Sequence, residues 1–231
     1  DEVRVRLVEI SELVTEAMEK ATRAFGTSDV ALAEEVIADL GVAYPTTVGT
    51  EIRLVDMFNL IFLPSANDMV SAFAYSVFDD NDAFVAAVDV WADAHALTSL
   101  EFAEPTGLSE QNIATPSDAL RIGQLALAHP VISQFISRDQ AFIEGIGLVE
   151  NTNPLLGVDE GIVGIKTGRS ASAGFNLIVA QEQPIAERQV TAISVTMARP
   201  SLEERERSGR TMLALMESLP HEIEVARGSE T

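Results

Sequence analysis

An α+β fold, with helices packed against an antiparallel sheet, is predicted for this 231-residue chain by two changes of hydrophobic period. Apolar residues recur at three- and four-residue spacing up to about residue 130. They alternate at a spacing of two from Gly161 to Ala198, and return to helical spacing after Ser201. No repeat, low-complexity segment or Gly/Ser linker interrupts the sequence, so a single domain over residues 1–231 is expected. A hydrophobic content of 47% is enough to bury a core at this length.

The first predicted helix is "EISELVTEAMEKATRAF", with Ile10, Leu13, Val14, Ala17 and Ala21 on one stripe and glutamates opposite. The second lies in "TEIRLVDMFNLIFLPSAND", where Leu54, Phe58, Ile61 and Phe62 share a face and Pro64 ends the run. Helical spacing resumes in "MVSAFAYSVF". It continues in "NDAFVAAVDVWADAHAL", where Phe84, Val88, Trp91 and Ala94 form the apolar face. "TPSDALRIGQLALAHP" carries its own boundaries, with Thr115 as cap, Pro116 at the first helical position, Asp118 in the first turn and Pro130 as terminator. Two strands joined by a small-residue turn follow, with Ile162 and Ile165 before the turn and Phe175, Leu177 and Val179 after it. Residues 189 to 198 form a third strand. The closing helix starts at Ser201, which with Glu204 predicts a capping box.

Charge and composition exclude several classes of function. A formal net charge of -21 repels nucleic acid and anionic membrane surfaces. The absence of cysteine removes disulfides, thiol catalysis and cysteine metal sites. The three histidines, His95, His129 and His221, lie far apart, so no metal centre and no cofactor is expected. No apolar run approaches the roughly 20 residues that a bilayer span demands.

Two short motifs stand out. "PSAND" places Ser65 two residues before Asn67 in a turn between helices, and "IKTG" places Lys166, one of only two lysines, ahead of Thr167 and Gly168 on a strand. Taken singly, Ser65 reads as a helix cap and Lys166 as a solvated edge charge that discourages aggregation. Taken together, Ser-x-Asn followed by Lys-Thr-Gly about a hundred residues later resembles the second and third motifs of penicillin-binding proteins and serine β-lactamases. "IRLVDMFNLIFLPSANDM", "EPTGL" at 104 to 108, "TPSDALRIGQLAL" and "ENTNPLL" before "GIVGIKTGRSASAGFNLIVA" are similar to segments of the low-molecular-mass D-alanyl-D-alanine carboxypeptidases. The similarity runs from about Arg6 to Met216.

The resemblance implies a β-lactamase/transpeptidase-like fold with a largely helical middle segment, and extracytoplasmic work on peptidoglycan stem peptides. It implies catalytic roles for Ser65, Asn67 and Lys166, with Ser65 relaying a proton and Asn67 holding the peptide amide. Lys166 and Thr167 would attract the terminal carboxylate, and Gly168 would let the substrate lie against the strand. The family's nucleophile motif, Ser-x-x-Lys, is absent, because Lys20 and Lys166 are preceded at that distance by Ala17 and Val163. The family frame instead puts Glu9 at the nucleophile position and Glu12 at the base position, with Thr15 matching the family threonine. A shifted register offers Ser11, but with Val14 as its base. Arg169 adds a cation after Lys-Thr-Gly, and Ser170 stands where a threonine is common. Only "DEVRVRLV" precedes the first helix, so strand residues found there in relatives are expected to lie outside this sequence. The expected function is that of a catalytically inactive relative acting by binding or scaffolding in the cell envelope. Its partner would be either a stem peptide, with affinity weakened or lost, or an envelope protein. The alternative is an active serine-type carboxypeptidase using Ser11 or Ser65.

Overall fold

The structure, a computed structural model, describes residues 42–44, 51–185 and 188–218. The expected first helix, and with it Glu9, Ser11 and Glu12, lies outside the described residues.

The described chain begins with three helices, α1 (Leu54–Phe62), α2 (Asn67–Val77) and α3 (Asn81–Ala94). The longer helix α4 (Pro116–Ala128) and the short α5 (Ile132–Ile136) follow. A two-stranded antiparallel hairpin comes next, β1 (Gln140–Ile143) paired with β2 (Gly147–Glu150). The second sheet is β3 (Ile162–Ser170), β4 (Gly174–Ile185) and β5 (Arg188–Arg199), antiparallel in the order β3-β4-β5. Helix α6 (Leu202–Glu217) closes the described chain.

The alternation that predicted the sheet also sorts its faces. Leu177 and Val179 of β4 pack with Leu155, Leu156, Ile162, Ala192 and Leu213, and Leu213 belongs to α6. On the other face Ala180 and Ile178 of β4 pack with Ile165, Ile193 and Ile136, together with Ala126 and Leu127 of α4. Each flanking helix brings a glycine to the sheet. A Cβ on Gly123 would stand 3.0 Å from Ile178 and 3.1 Å from Ile165, and one on Gly209 would stand 2.9 Å from Leu177. Both helices therefore lie closer to the strands than a side chain permits. A third cluster, of Leu60, Leu63, Ala66, Met69, Ile143 and Val149, joins α1, α2 and the hairpin.

Several local expectations are corrected. At α4 the Thr115 and Asp118 side chains do form a reciprocal capping box. At α6 only half of one forms: Ser201 accepts from the Glu204 amide, while the Glu204 carboxylate is taken by Arg207 at 2.5 and 2.6 Å. On α3 the buried residue is Ala92, which packs with Leu97 and Leu100, whereas Trp91 is 39% exposed and Ala94 is exposed. The apolar face is rotated from the one predicted because the chain folds back at Leu97 and Leu100 to cover Ala92. Ser65 is not a cap, since α2 has Ala66 at its N-cap and Ser65 holds a left-handed backbone with φ 67°. Among the described residues, no helix is long and apolar enough to cross a membrane.

Candidate functional site

Three parts of the chain meet at a cleft of about 680 Å³: the α1–α2 turn, the β3 strand and the start of α6, with the loop at 106–108 as a further wall. Ser65, Asn67, Lys166, Thr167 and Gly168 all line it. The structure thus brings together all five residues of the Ser-x-Asn and Lys-Thr-Gly motifs. Glu9 and Glu12 lie outside the described residues.

The α1–α2 turn is held from both ends. The Ala66 amide donates to the Leu60 carbonyl at 2.9 Å, and the Asn67 amide donates to the Val42 carbonyl at 2.7 Å. The Asn67 side-chain oxygen accepts from the Val42 amide at 3.3 Å, and Asp68 accepts from the Tyr44 amide at 2.9 Å. With its oxygen engaged by the backbone, Asn67 offers its amide nitrogen to the cleft and so acts there as a donor. Burial raises the Asp68 carboxyl above its ordinary range, against the pull of the Tyr44 and Met69 amides.

On β3, Lys166 is half-buried and donates to the Thr167 carbonyl at 3.3 Å. Burial, and then the Arg205 cation, push its ammonium down to about 8. The Thr167 hydroxyl lies 2.5 Å from that of Thr152, whose Oγ1 also donates to the Leu63 carbonyl at 3.2 Å. Thr152 has one proton for these two acceptors, so its choice sets whether Thr167 presents a donor or an acceptor. At Gly168 an added Cβ would meet only the Asn176 Cβ, at 3.9 Å. The protein's own packing does not demand glycine there, which leaves the space for a ligand.

Arg205 was missed in the sequence, where "EERERSGR" reads as a solvated charge run. Its spacing holds the signal, because Leu202, Arg205, Gly209 and Leu213 fall on one stripe of α6, the stripe that meets the sheet. Arg205 is only 6% exposed, donates to the Thr152 carbonyl at 3.3 Å, and has a buried Nε with no partner among the described residues. Burial pushes its guanidinium down, Glu206 opposes that, and Arg169 adds to it. Arg169 also lines the cleft, with its guanidinium 4.5 Å from the centre of the Phe175 ring.

The loop wall is organised by Glu104. Its carboxylate accepts from the amides of Thr106, Gly107 and Ser109 at 2.6, 2.8 and 3.1 Å, from the Thr106 hydroxyl, and from the Asn112 side chain at 2.6 Å. Burial alone would raise this carboxyl, but the bonds from Thr106, Ser109 and Asn112 outweigh it and hold it below the usual range.

A sheet with helices on both faces and a cleft beside the described edge strand defines a β-lactamase/transpeptidase-like fold. Solved structures agree. A Streptomyces DD-transpeptidase superposes with a TM-score of 0.69 at 20% identity, covering 82% of this chain and 77% of its own. Penicillin-binding protein 5 of Haemophilus influenzae gives 0.68 at 22% identity, covering 75% and 50%. The family is then settled by sequence: the D-alanyl-D-alanine carboxypeptidase family model matches residues 10–201, and the chain belongs to that family. A D-alanyl-D-alanine endopeptidase of Pseudomonas aeruginosa is 28% identical over 146 residues, 60% of this chain and 47% of that protein. The carboxypeptidase DacA of Escherichia coli is 27% identical over 168 residues, 71% of this chain and 40% of that protein. The chain thus spans less than half the length of these curated relatives.

Proposed function

We propose that this chain binds the C-terminal ends of peptidoglycan stem peptides in the cell envelope, outside the cytoplasm, without cleaving them. The observation that carries the reading is a mismatch within one site. The cleft keeps Ser65, Asn67, Lys166, Thr167 and Gly168, while the sequence has no Ser-x-x-Lys and the family frame puts Glu9 and Glu12 in its place. A carboxylate at the nucleophile position forms no stable ester with a peptide carbonyl, and without a neighbouring base a serine is too weak a nucleophile.

Binding, by contrast, has what it requires. A terminal carboxylate seated near Lys166 and Arg205 meets one half-buried and one buried cation, and the Arg205 Nε, which has no partner among the described residues, gains an acceptor. The peptide backbone lies along Gly168, and its amide carbonyl accepts from Asn67. If the family frame holds, a carboxylate at the base position given to Glu12 would compete with the ligand for Lys166 and weaken the complex.

A second reading is an active serine peptidase with Ser65 as nucleophile. It is favoured by one observation, a serine in a left-handed backbone sharing the cleft with a lysine whose ammonium sits near 8, within reach of a general base. Calorimetry with a peptide ending in D-Ala-D-Ala, paired with an assay for released D-alanine, separates the two. The expected result is saturable binding with no release, weakened roughly 10- to 100-fold in Lys166→Met, the loss of one charge-assisted contact. Release of D-alanine would establish the second reading. Absence of binding would leave a protein partner as the occupant.

A further inference from the structure

We infer that Arg169 makes this cleft selective for peptides bearing two carboxylates at their C-terminal end, the terminal one and an acidic side chain. The inference rests on the stem-peptide reading above and adds the substrate class. Three of the chain's 15 basic residues, Lys166, Arg169 and Arg205, line one cleft of a protein with net charge -21. Such clustering costs energy: Arg205 disfavours the charge on Lys166, and Arg169 disfavours that on Arg205. No acidic side chain among the described residues forms an ion pair with any of the three. The glutamates of α6 are engaged elsewhere, Glu204 with Arg207 and Glu206 with Arg210, and Asp159 also pairs with Arg210.

One carboxylate does not use all three cations. Thr167 and Arg205 meet at Thr152, through the Thr152–Thr167 contact and the Arg205 bond to the Thr152 carbonyl, and Lys166 joins them through its bond to the Thr167 carbonyl. Arg169 lies near enough to Arg205 to disfavour its charge, yet among the described residues it makes no hydrogen bond to Thr152 or Thr167. It is two residues beyond Thr167 and three beyond Lys166 along β3, about 7 and 10 Å at the strand rise, and its guanidinium rests on Phe175, its cross-strand partner. The ring fixes the cation without neutralising it, so the charge is preorganised for an external anion. Two residues of extended peptide span about 7 Å, and the arginine side chain covers the remainder. An acidic side chain on the last or penultimate residue therefore reaches Arg169 while the terminal carboxylate sits at Lys166 and Arg205.

The test is calorimetry at low salt with three peptides of one parent sequence, ending in D-Ala-D-Asp, D-Ala-D-Asn and D-Ala-D-Ala. The first two have the same shape and differ by one charge, so their affinity ratio within one protein is insensitive to partial loss of folding. The expected ratio is about 10 in favour of the D-Asp peptide for a partly exposed charge pair. It falls to about 1 in Arg169→Gln, survives in part in Arg169→Lys, and shrinks as salt is raised. A ratio near 1 in the natural sequence, or a ratio unchanged in Arg169→Gln, overturns the selectivity while the D-Ala-D-Ala arm still reports the stem-peptide reading. Failure of all three peptides to bind overturns both.

Discussion

Replacing Gly209 by alanine tests how the fold sets the cleft. Gly209 sits in the interior of α6, where alanine is ordinarily better by about 1 kcal/mol. Here the new Cβ would lie 2.9 Å from Leu177 Cδ2, 3.5 Å from Leu155 Cδ1 and 3.8 Å from Val179 Cγ1. Leu177 is 1% exposed and Leu155 is fully buried, so neither has free space to retreat into. Overpacking of this kind costs about 1 to 3 kcal/mol, which leaves a net loss of roughly 1 kcal/mol, or about 2–4 °C in Tm at this chain length. The helix relieves the clash by moving away from the sheet. Arg205, one turn earlier, moves with it, and its 3.3 Å bond to the Thr152 carbonyl is already long. Peptide affinity should therefore drop more than the stability change alone accounts for. Thermal unfolding by circular dichroism and calorimetry with a stem peptide measure the two effects. A variant more stable by the full helix-propensity gain, with unchanged affinity, would show that α6 does not press on the sheet and would refute the argument.

Other consequences are equally direct. The Lys166 ammonium titrates near 8 in the folded protein against 10.5 ordinarily, so the unfolded chain holds this proton more tightly. Stability from this group accordingly rises with pH between about 8 and 10.5. Carboxylate binding, which needs the charged form, weakens by up to tenfold per pH unit above 8. Lys166→Met should abolish both slopes, and a slope that persists in it belongs to another group. Glu104→Gln keeps the size of the side chain but turns one acceptor oxygen into a donor, facing either the Thr106 amide and hydroxyl or the Gly107 and Ser109 amides. It should cost about 1 to 3 kcal/mol in urea unfolding and loosen the 106–108 wall, seen as faster hydrogen exchange there; unchanged exchange would remove Glu104 as the organiser of that wall. The variant combining Glu9→Ser with Glu12→Lys should bind the D-Ala-D-Ala peptide more tightly than the natural sequence, because Lys166 loses a competitor. Tighter binding to the natural sequence would show that the two glutamates do not obstruct the cleft.

The sequence carried the parts of this fold whose local rules and tertiary fate agree. Thr115, Pro116 and Asp118 announce α4 because the cap bonds are local to four residues. Leu177 and Val179 announce a strand because one face of β4 is buried against α6. The short helix Ile132–Ile136 and the hairpin Gln140–Glu150 were not legible: the first is a single turn and a half, and the hairpin leaves Phe142 76% exposed, which breaks the expected pattern. Trp91 misled for the opposite reason, being apolar yet outside the core. Motif spacing singled out Ser65, Asn67 and Lys166 across about a hundred residues, and all three line one cleft. Arg205 and Thr152 escaped because their importance arises only when α6 and the 150–156 segment close on β3. An arginine in a run of glutamates looks solvated until the helix is docked.

The central claim, a retained family cleft that has lost its nucleophile, is tested most directly by intact-mass spectrometry after prolonged incubation with benzylpenicillin. The expected result is a mass unchanged from that of the untreated protein, because the proposed binding role leaves no serine activated to open the β-lactam and hold it as an ester. A mass increase of one penicillin, mapped by peptide sequencing to Ser65 or Ser11, would contradict it and make this chain an active serine enzyme.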